Sequence, residues 1–294
     1  MGTQIKPLEW RSRVAPVSMD VTGRDIELLW LLARDLYATT ANTLAAGFPS
    51  LGAAQLRLAR LEKAGFIRSA KTVVPPKRRA LIWALSDAGA DFLRQQDPDR
   101  WTTWFEGWKS PADHPDQHKR SILHEIQRNS WCDRMERLFL DAEWFVDWMP
   151  GSAGHIRGFP GNGMKRVELT PDAVMMVNQN FWMIEYERSW RVSTLESKLQ
   201  RYELMFKHRL WEMNFRSEPR VVFVLSEETT QNDTLIPWIQ KFGGGLGVRG
   251  WFLSDQDALD DQLLVPGLYW DPLKHQMVRA SWFRASEKAP RRAP

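Results

Sequence analysis

Residues 67–85 have little freedom in how they fold. Two β-prone runs, 67–74 and 80–85, flank Pro75-Pro76-Lys77-Arg78-Arg79. Proline has no N–H to give to a ladder, and two in succession turn the chain out of one. The pattern predicts a hairpin whose tip carries three cations. What precedes it is helical. Thr22-Gly-Arg-Asp25 reads as a helix N-cap with an acid three residues on. Ile26, Leu29, Trp30, Ala33 and Tyr37 then recur at helical spacing, with Glu27 and Arg34 outside the stripe. A second short helix after Thr39 or Thr40 carries Leu44 and Ala45. It stops near Gly47, because glycine tolerates positive φ.

Ser50 caps a third helix that runs to about Ala64. Its Leu51, Ala54, Leu58 and Leu61 fall at steps of three, four and three and predict a buried face. Gln55, Arg57 and Arg60 lie off that stripe. After the hairpin, Ser86-Asp87-Ala88-Gly89 opens a closing helix through Phe92 and Leu93. Leu61-Glu62-Lys63-Ala64-Gly65-Phe66-Ile67, with Leu85-Ser86-Asp87-Ala88-Gly89 after the hairpin, resembles the winged-helix proteins of bacterial transcriptional regulators. The resemblance implies a third helix lying in the major groove of duplex DNA, where Gln55, Arg57 and Arg60 read or flank bases. Lys77, Arg78 and Arg79 would hold the backbone. Charge agrees: residues 1–96 hold 14 Lys and Arg against 8 Asp and Glu, and the remainder 26 against 28. All of the positive excess lies in the first third, where a nucleic-acid surface is expected.

The expected organisation is an arm over 1–21, a winged helix-turn-helix over 22–96 and a linker over 97–120. A mixed-sheet domain with leading helices over 121–283 and a basic, disordered tail over 284–294 complete it. Pro98, Pro111 and Pro115 mark the linker, which has a short helical piece at 101–108. A helix then runs from Ser121 through Ile122, Ile126 and Leu138 to as far as Asp147. Sixteen tryptophans, many between Trp101 and Trp148, point either to core packing or to an oligomer surface. His114, His118 and His124 match no standard metal-ligand spacing, and the single cysteine, Cys132, rules out a cysteine-cluster zinc site. One cysteine, no run of eighteen apolar residues and no apolar segment at the start together predict a cytoplasmic protein without a membrane span.

From Val167 the pattern turns to strands, at 171–177 and 181–187, with Asn178-Gln179-Asn180 as the turn. Ser193-Thr194-Leu195-Glu196 is a capping box that opens a helix to roughly Trp211. Strands at 220–225 and 247–253 enclose a helix near 234–242. Such an order predicts an α+β or α/β layout with a parallel crossover. Gly243-Gly244-Gly245-Leu246-Gly247 lacks the Gly-Lys-Ser/Thr ending of a phosphate loop and reads as a connection.

Pro171-Asp172, then Glu185-Tyr186-Glu187, then Lys198-Leu199-Gln200-Arg201-Tyr202 resembles the replication-relaxation family of bacterial mobile elements. That resemblance implies a winged helix joined to a domain similar to the PD-(D/E)XK nucleases. Asp172 and Glu185 would then be the metal carboxylates, holding Mg²⁺ beside a scissile phosphate. The lysine normally found two residues after the second acid is Glu187 here. Leu195, Lys198, Leu199 and Tyr202 share a helix face, so Lys198 sits in an apolar stripe and meets Glu185 or Glu187. It is either the displaced catalytic lysine or a structural ion pair that replaces a lost site. Glu143 and Arg188 are weaker candidates for a further acid and a phosphate contact. Three functions follow: a duplex DNA binder acting as a homodimer, a Mg²⁺-dependent endonuclease using Asp172, Glu185 and Lys198, or an adaptor with a Trp-rich partner surface.

Overall fold

The computed structural model describes residues 9–11, 17–74, 78–105, 107–115, 122–141, 145–159, 166–187, 192–225, 250–254, 266–271 and 276–281. The expected helix at 234–242, the connection at 243–247, the tail, Lys77, His118, Glu143 and Arg188 lie outside them. The chain divides into two units, residues 1–130 and 131–294. Among the described residues no helix is long and apolar enough to cross a membrane.

In the first unit, β1 (Glu9–Trp10) lies within the expected arm. It is followed by α1 (Gly23–Asp35), β2 (Ala38–Thr39), a 3₁₀ turn (Asn42–Ala46), α2 (Leu51–Lys63), β3 (Ile67–Val74), β4 (Arg78–Leu85), α3 (Asp87–Gln96) and α4 (Pro98–Phe105). The strands form an antiparallel sheet in the order β1-β3-β4-β2. The three helix caps expected in this unit form, whereas Ser193, expected to cap a later helix, lies inside it, after its first residue Val192. Thr22 and Asp25 make a reciprocal capping box, Ser50 accepts from the Ala53 N–H, and Ser86 accepts from the Gly89 N–H. Gly47 ends the 3₁₀ turn at φ 81°. Helix α1 is more deeply enclosed than one apolar stripe implied, since Leu28, Leu31 and Leu32 are buried along with Leu29, Trp30 and Ala33. On α2 the stripe holds at Ala54, Leu58 and Leu61, but Leu51 is exposed at the first turn.

The stretch expected as a linker is built into this unit. Pro98 starts α4 instead of breaking a helix, because proline at the first helical position gives up no intrahelical bond. Trp101 and Phe105 of α4 are buried in the same core as Leu28, Leu58 and Trp83. Beyond it, Trp108 Nε1 donates to the Ala33 carbonyl at 3.0 Å and Ser110 Oγ to that of Leu85 at 2.8 Å. Arg68 pairs with Asp113 at 2.9 Å. Helix α5 (Ile122–Asp141) begins in this unit and ends in the second.

The second unit continues with β5 (Val146–Pro150), a 3₁₀ turn (Gly151–Gly154), β6 (Ile156–Gly158), β7 (Val167–Leu169), β8 (Ala173–Val177), β9 (Asn180–Glu187) and α6 (Val192–Lys207). A 3₁₀ turn (Leu210–Met213), β10 (Arg220–Leu225), β11 (Gly250–Ser254), β12 (Pro266–Asp271) and β13 (Gln276–Ser281) follow. Asp147, expected at the far end of a long helix, belongs with Trp148 to β5, which pairs with β8. Helix α6 stops at Lys207, and Trp211 lies in the turn beyond it. The seven-stranded sheet runs β13-β12-β11-β10-β9-β8-β5. Its middle strands β9, β10 and β11 are parallel, as the strand-helix-strand order predicts, and its flanks are antiparallel. The fold is therefore mixed α and β. Asn178 and Gln179, at φ 48° and 70°, make the two-residue turn between β8 and β9.

Successive side chains of a strand point to opposite faces. On β9 this sends Trp182, Ile184 and Tyr186 into a core with Trp131, Met135 and Phe139 of α5 and Trp148 of β5. Trp101, Trp131 and Trp148 are thus core residues of their own units. Glu185 and Glu187 take the other face, toward α6.

Candidate functional site

Asp172, Glu185 and Lys198 come together as the sequence implied, and Glu187 joins them. Asp172 sits just before β8, where its backbone N–H donates to the Ile184 carbonyl at 2.8 Å and its Oδ2 accepts the Tyr186 N–H at 2.9 Å. A close backbone approach holds that corner: a Cβ on Gly151 would stand 1.8 Å from the Pro171 carbonyl oxygen. Leu195, Leu199, Tyr202 and Met205 are buried along α6, and Lys198 lies among them. Its Nζ donates to Glu185 Oε2 at 2.7 Å and to Glu187 Oε1. Tyr202 Oη donates to the remaining Glu185 oxygen, Oε1, at 2.6 Å. The sequence placed Tyr202 on this face without a role; its offset of four from Lys198 was the available signal.

Asp172 and Glu185 are 4% and 2% exposed. Burial pushes the Glu185 carboxyl up to about 7, against the pull of Lys198 and with a further push from Asp172. Burial works to lower the Lys198 ammonium, and Glu185, Asp172 and Glu187 overcome it and raise it. Tyr202 is raised by burial and by the adjacent Glu185. The cluster sets one ammonium in direct contact with Glu185 and Glu187, with the charge of Asp172 acting on it as well. A Mg²⁺ ion keeps several waters and needs open carboxylate oxygens. Here each Glu185 oxygen already accepts a hydrogen bond, one from Lys198 and one from Tyr202, so a cation would have to compete with an ammonium for the same carboxylate. Among the described residues no group of three or more His, Cys, Asp or Glu is arranged to hold a metal. His114 instead faces Asp87 at 2.8 Å.

The second candidate surface is α2. Ala54, Leu58 and Leu61 pack inward, while Gly52, Gln55, Leu56, Arg60 and Lys63 are exposed. Arg57, expected beside Arg60 on the DNA face, is turned away from it. Its Nε donates to Asp25 Oδ1 at 2.6 Å, and its Nη2 donates to Asp25 Oδ2 and to the Asp20 carbonyl at 2.9 Å. Burial pushes the Asp25 carboxyl up, but the hydrogen bonds from Arg57 and Thr22 outweigh it and hold it below its ordinary value. Arg57 thereby ties α2 to the start of α1. Arg78 and Arg79 begin β4, directly after the hairpin tip.

Capped helices and a β hairpin in one unit, and a mixed sheet with an occupied carboxylate-lysine cluster in the other, define a two-unit α and β protein. A family model described as replication-relaxation matches residues 29–221, and the chain belongs to the replication-relaxation family. No curated protein and no solved structure matches it.

Proposed function

We propose that the chain binds duplex DNA through its first unit, used as a winged helix-turn-helix, and that its second unit has a PD-(D/E)XK-like fold that no longer cleaves. The observation that carries the first half is the two-sided character of α2. Ala54, Leu58 and Leu61 are buried, and the opposite face presents Gln55, Leu56 and Arg60 to solvent, just before a hairpin in which Arg78 and Arg79 begin β4 and Lys77 precedes them in the sequence. A helix of this kind offers base-reading side chains while the hairpin cations meet phosphates. Membership in the replication-relaxation family fits a role in the replication or relaxation of mobile DNA. The protein would act in the cytoplasm, as a homodimer on a pseudo-symmetric site.

Three side chains acting on phosphates predict a defined salt response. Replacing Lys77, Arg78 and Arg79 by Ala is expected to reduce the slope of log affinity against log salt by about 2.7, at about 0.9 per lost contact. Fluorescence anisotropy with a labelled duplex across a salt series measures it. An unchanged slope removes the hairpin from the DNA surface. The same preparations incubated with Mg²⁺ or Mn²⁺ and duplex are expected to leave the DNA intact. Cleavage that disappears in Asp172→Ala would restore the endonuclease reading with Asp172, Glu185 and Lys198 as its catalytic set.

A further inference from the structure

Leu56 is 70% exposed on α2, as exposed as any large apolar side chain described. Such a residue lies uneasily on a helix whose inward face is made by Ala54, Leu58 and Leu61. Around it on the outward face stand Gly52, Gln55, Arg60 and Lys63, at offsets of zero, three, eight and eleven with Leu56 at four; Ala59 is half-buried at offset seven, and Leu51 is exposed at the start of the helix. An ideal Cβ on Gly52 meets only Ser50 Oγ, at 4.0 Å, so the surface beside Leu56 is open to close approach. The face is cationic and amide-bearing around Leu56, with Leu51 exposed at its N-terminal end. That suits the floor of a major groove, where thymine offers the only methyl group, adenine offers an edge that suits a Gln amide, and guanine suits Arg.

We propose that Leu56 is a specificity-determining residue that reads the C5-methyl of a thymine, with Gln55 beside it positioned for an adenine edge and Arg60 about 6 Å farther along the helix axis for a guanine. The inference rests on the duplex-binding reading above and adds to it the base chemistry that α2 recognises. Arg60 lies within roughly two base-pair steps of Leu56, so the preferred site contains A·T and G·C pairs close together. The apolar contact, not a hydrogen bond, distinguishes T from C at its position.

The test starts from a random-sequence duplex library incubated with the full-length protein. Enriched sites are remade with deoxyuridine in place of each thymidine, which removes the methyl and leaves the pairing edge unchanged. One thymidine is expected to matter, with affinity falling about fourfold on its replacement, the loss of one buried methyl-sized group. Leu56→Ala is expected to bind the thymidine and deoxyuridine duplexes equally, at the wild-type deoxyuridine level. Because Leu56 is exposed, its thermal unfolding midpoint should match wild type. Equal wild-type binding to thymidine and deoxyuridine at every position overturns the inference, as does a thymine preference that survives Leu56→Ala. Retention of the library without enrichment also overturns it and leaves duplex binding standing. If Leu56→Ala changes sedimentation and not DNA binding, α2 serves a second copy of the chain and the inference falls. A wild-type protein that retains no duplex at low salt brings down both readings.

Discussion

Lys198→Met is expected to destabilise the second unit by about 3–5 kcal/mol, the usual cost of removing one partner from a buried ion pair. The lost hydrogen bonds are the smaller part of that figure. Glu185 and Glu187 would remain on one face of β9 with Asp172 beside them, and no cation would offset their charge. The buried carboxyl also gives the effect a pH dependence. Glu185 ordinarily titrates near 4.5 and is raised to about 7 in the folded chain. A folded-state value above the unfolded one means that the folded protein holds its proton longer. This contribution to stability is complete below about pH 4.5 and is lost as pH rises through about 7. Wild-type stability should therefore fall across that window, and Glu185→Gln should flatten the fall. Urea denaturation at about pH 5 and about pH 8 measures both effects, and hydrogen exchange along α6 assigns them to this unit. A neutral Lys198→Met at the higher pH would mean that Lys198 is not holding the cluster together. The Glu185–Lys198 pair bears on function too: the ammonium is held between two glutamates, one of which also accepts from Tyr202, and is committed to those carboxylates.

Features governed by neighbouring residues were legible in the sequence. Thr22, Ser50 and Ser86 each cap a helix through a backbone N–H three residues on, so a short window holds the whole interaction. The hairpin followed from two prolines between β-prone runs. Lys198 was placed toward the sheet by its offsets from Leu195 and Tyr202, and the alternation along β9 brought Glu185 and Glu187 to it. What was missed depends on distant partners. Arg57 looked free because Asp25, which captures it, is 32 residues away. Residues 97–115 looked like a linker because of their prolines, yet Trp101, Phe105 and Trp108 find apolar and carbonyl partners on α1. Val146 to Pro150 continued an apolar pattern that suits a helix or a strand, and pairing with β8 decided it. Leu51 satisfied the stripe by spacing alone, though it lies in the first turn, where the core does not reach it.

Arg57→Met should cost the first unit about 3–5 kcal/mol of stability while leaving the salt dependence of DNA binding unchanged. Asp25 is buried and already accepts from the Thr22 N–H and hydroxyl, both at 2.7 Å, so its charge depends on the Arg57 fork for compensation. Without the fork, a buried carboxylate stands unpaired at the start of α1 and the strap from α1 to α2 is gone. Asp25→Leu combined with Arg57→Met removes both charges and should recover most of the loss, because a well-packed apolar pair replaces a buried ion pair at little cost. The pH sign is opposite to that of Glu185. A carboxyl held below its ordinary 3.8 contributes stability that is present above that value and lost as pH falls through the folded one. Acid should thus weaken the first unit where it still favours the Glu185 network. Arg60→Ala makes the contrast that separates structure from recognition. Its side chain is exposed, so stability should hold while DNA affinity drops, by about 1–3 kcal/mol at one base position if it reads an edge. Equal loss of DNA affinity from Arg57→Met and Arg60→Ala, both still folded, would put Arg57 back on the DNA face and undo the assignment of its guanidinium to Asp25.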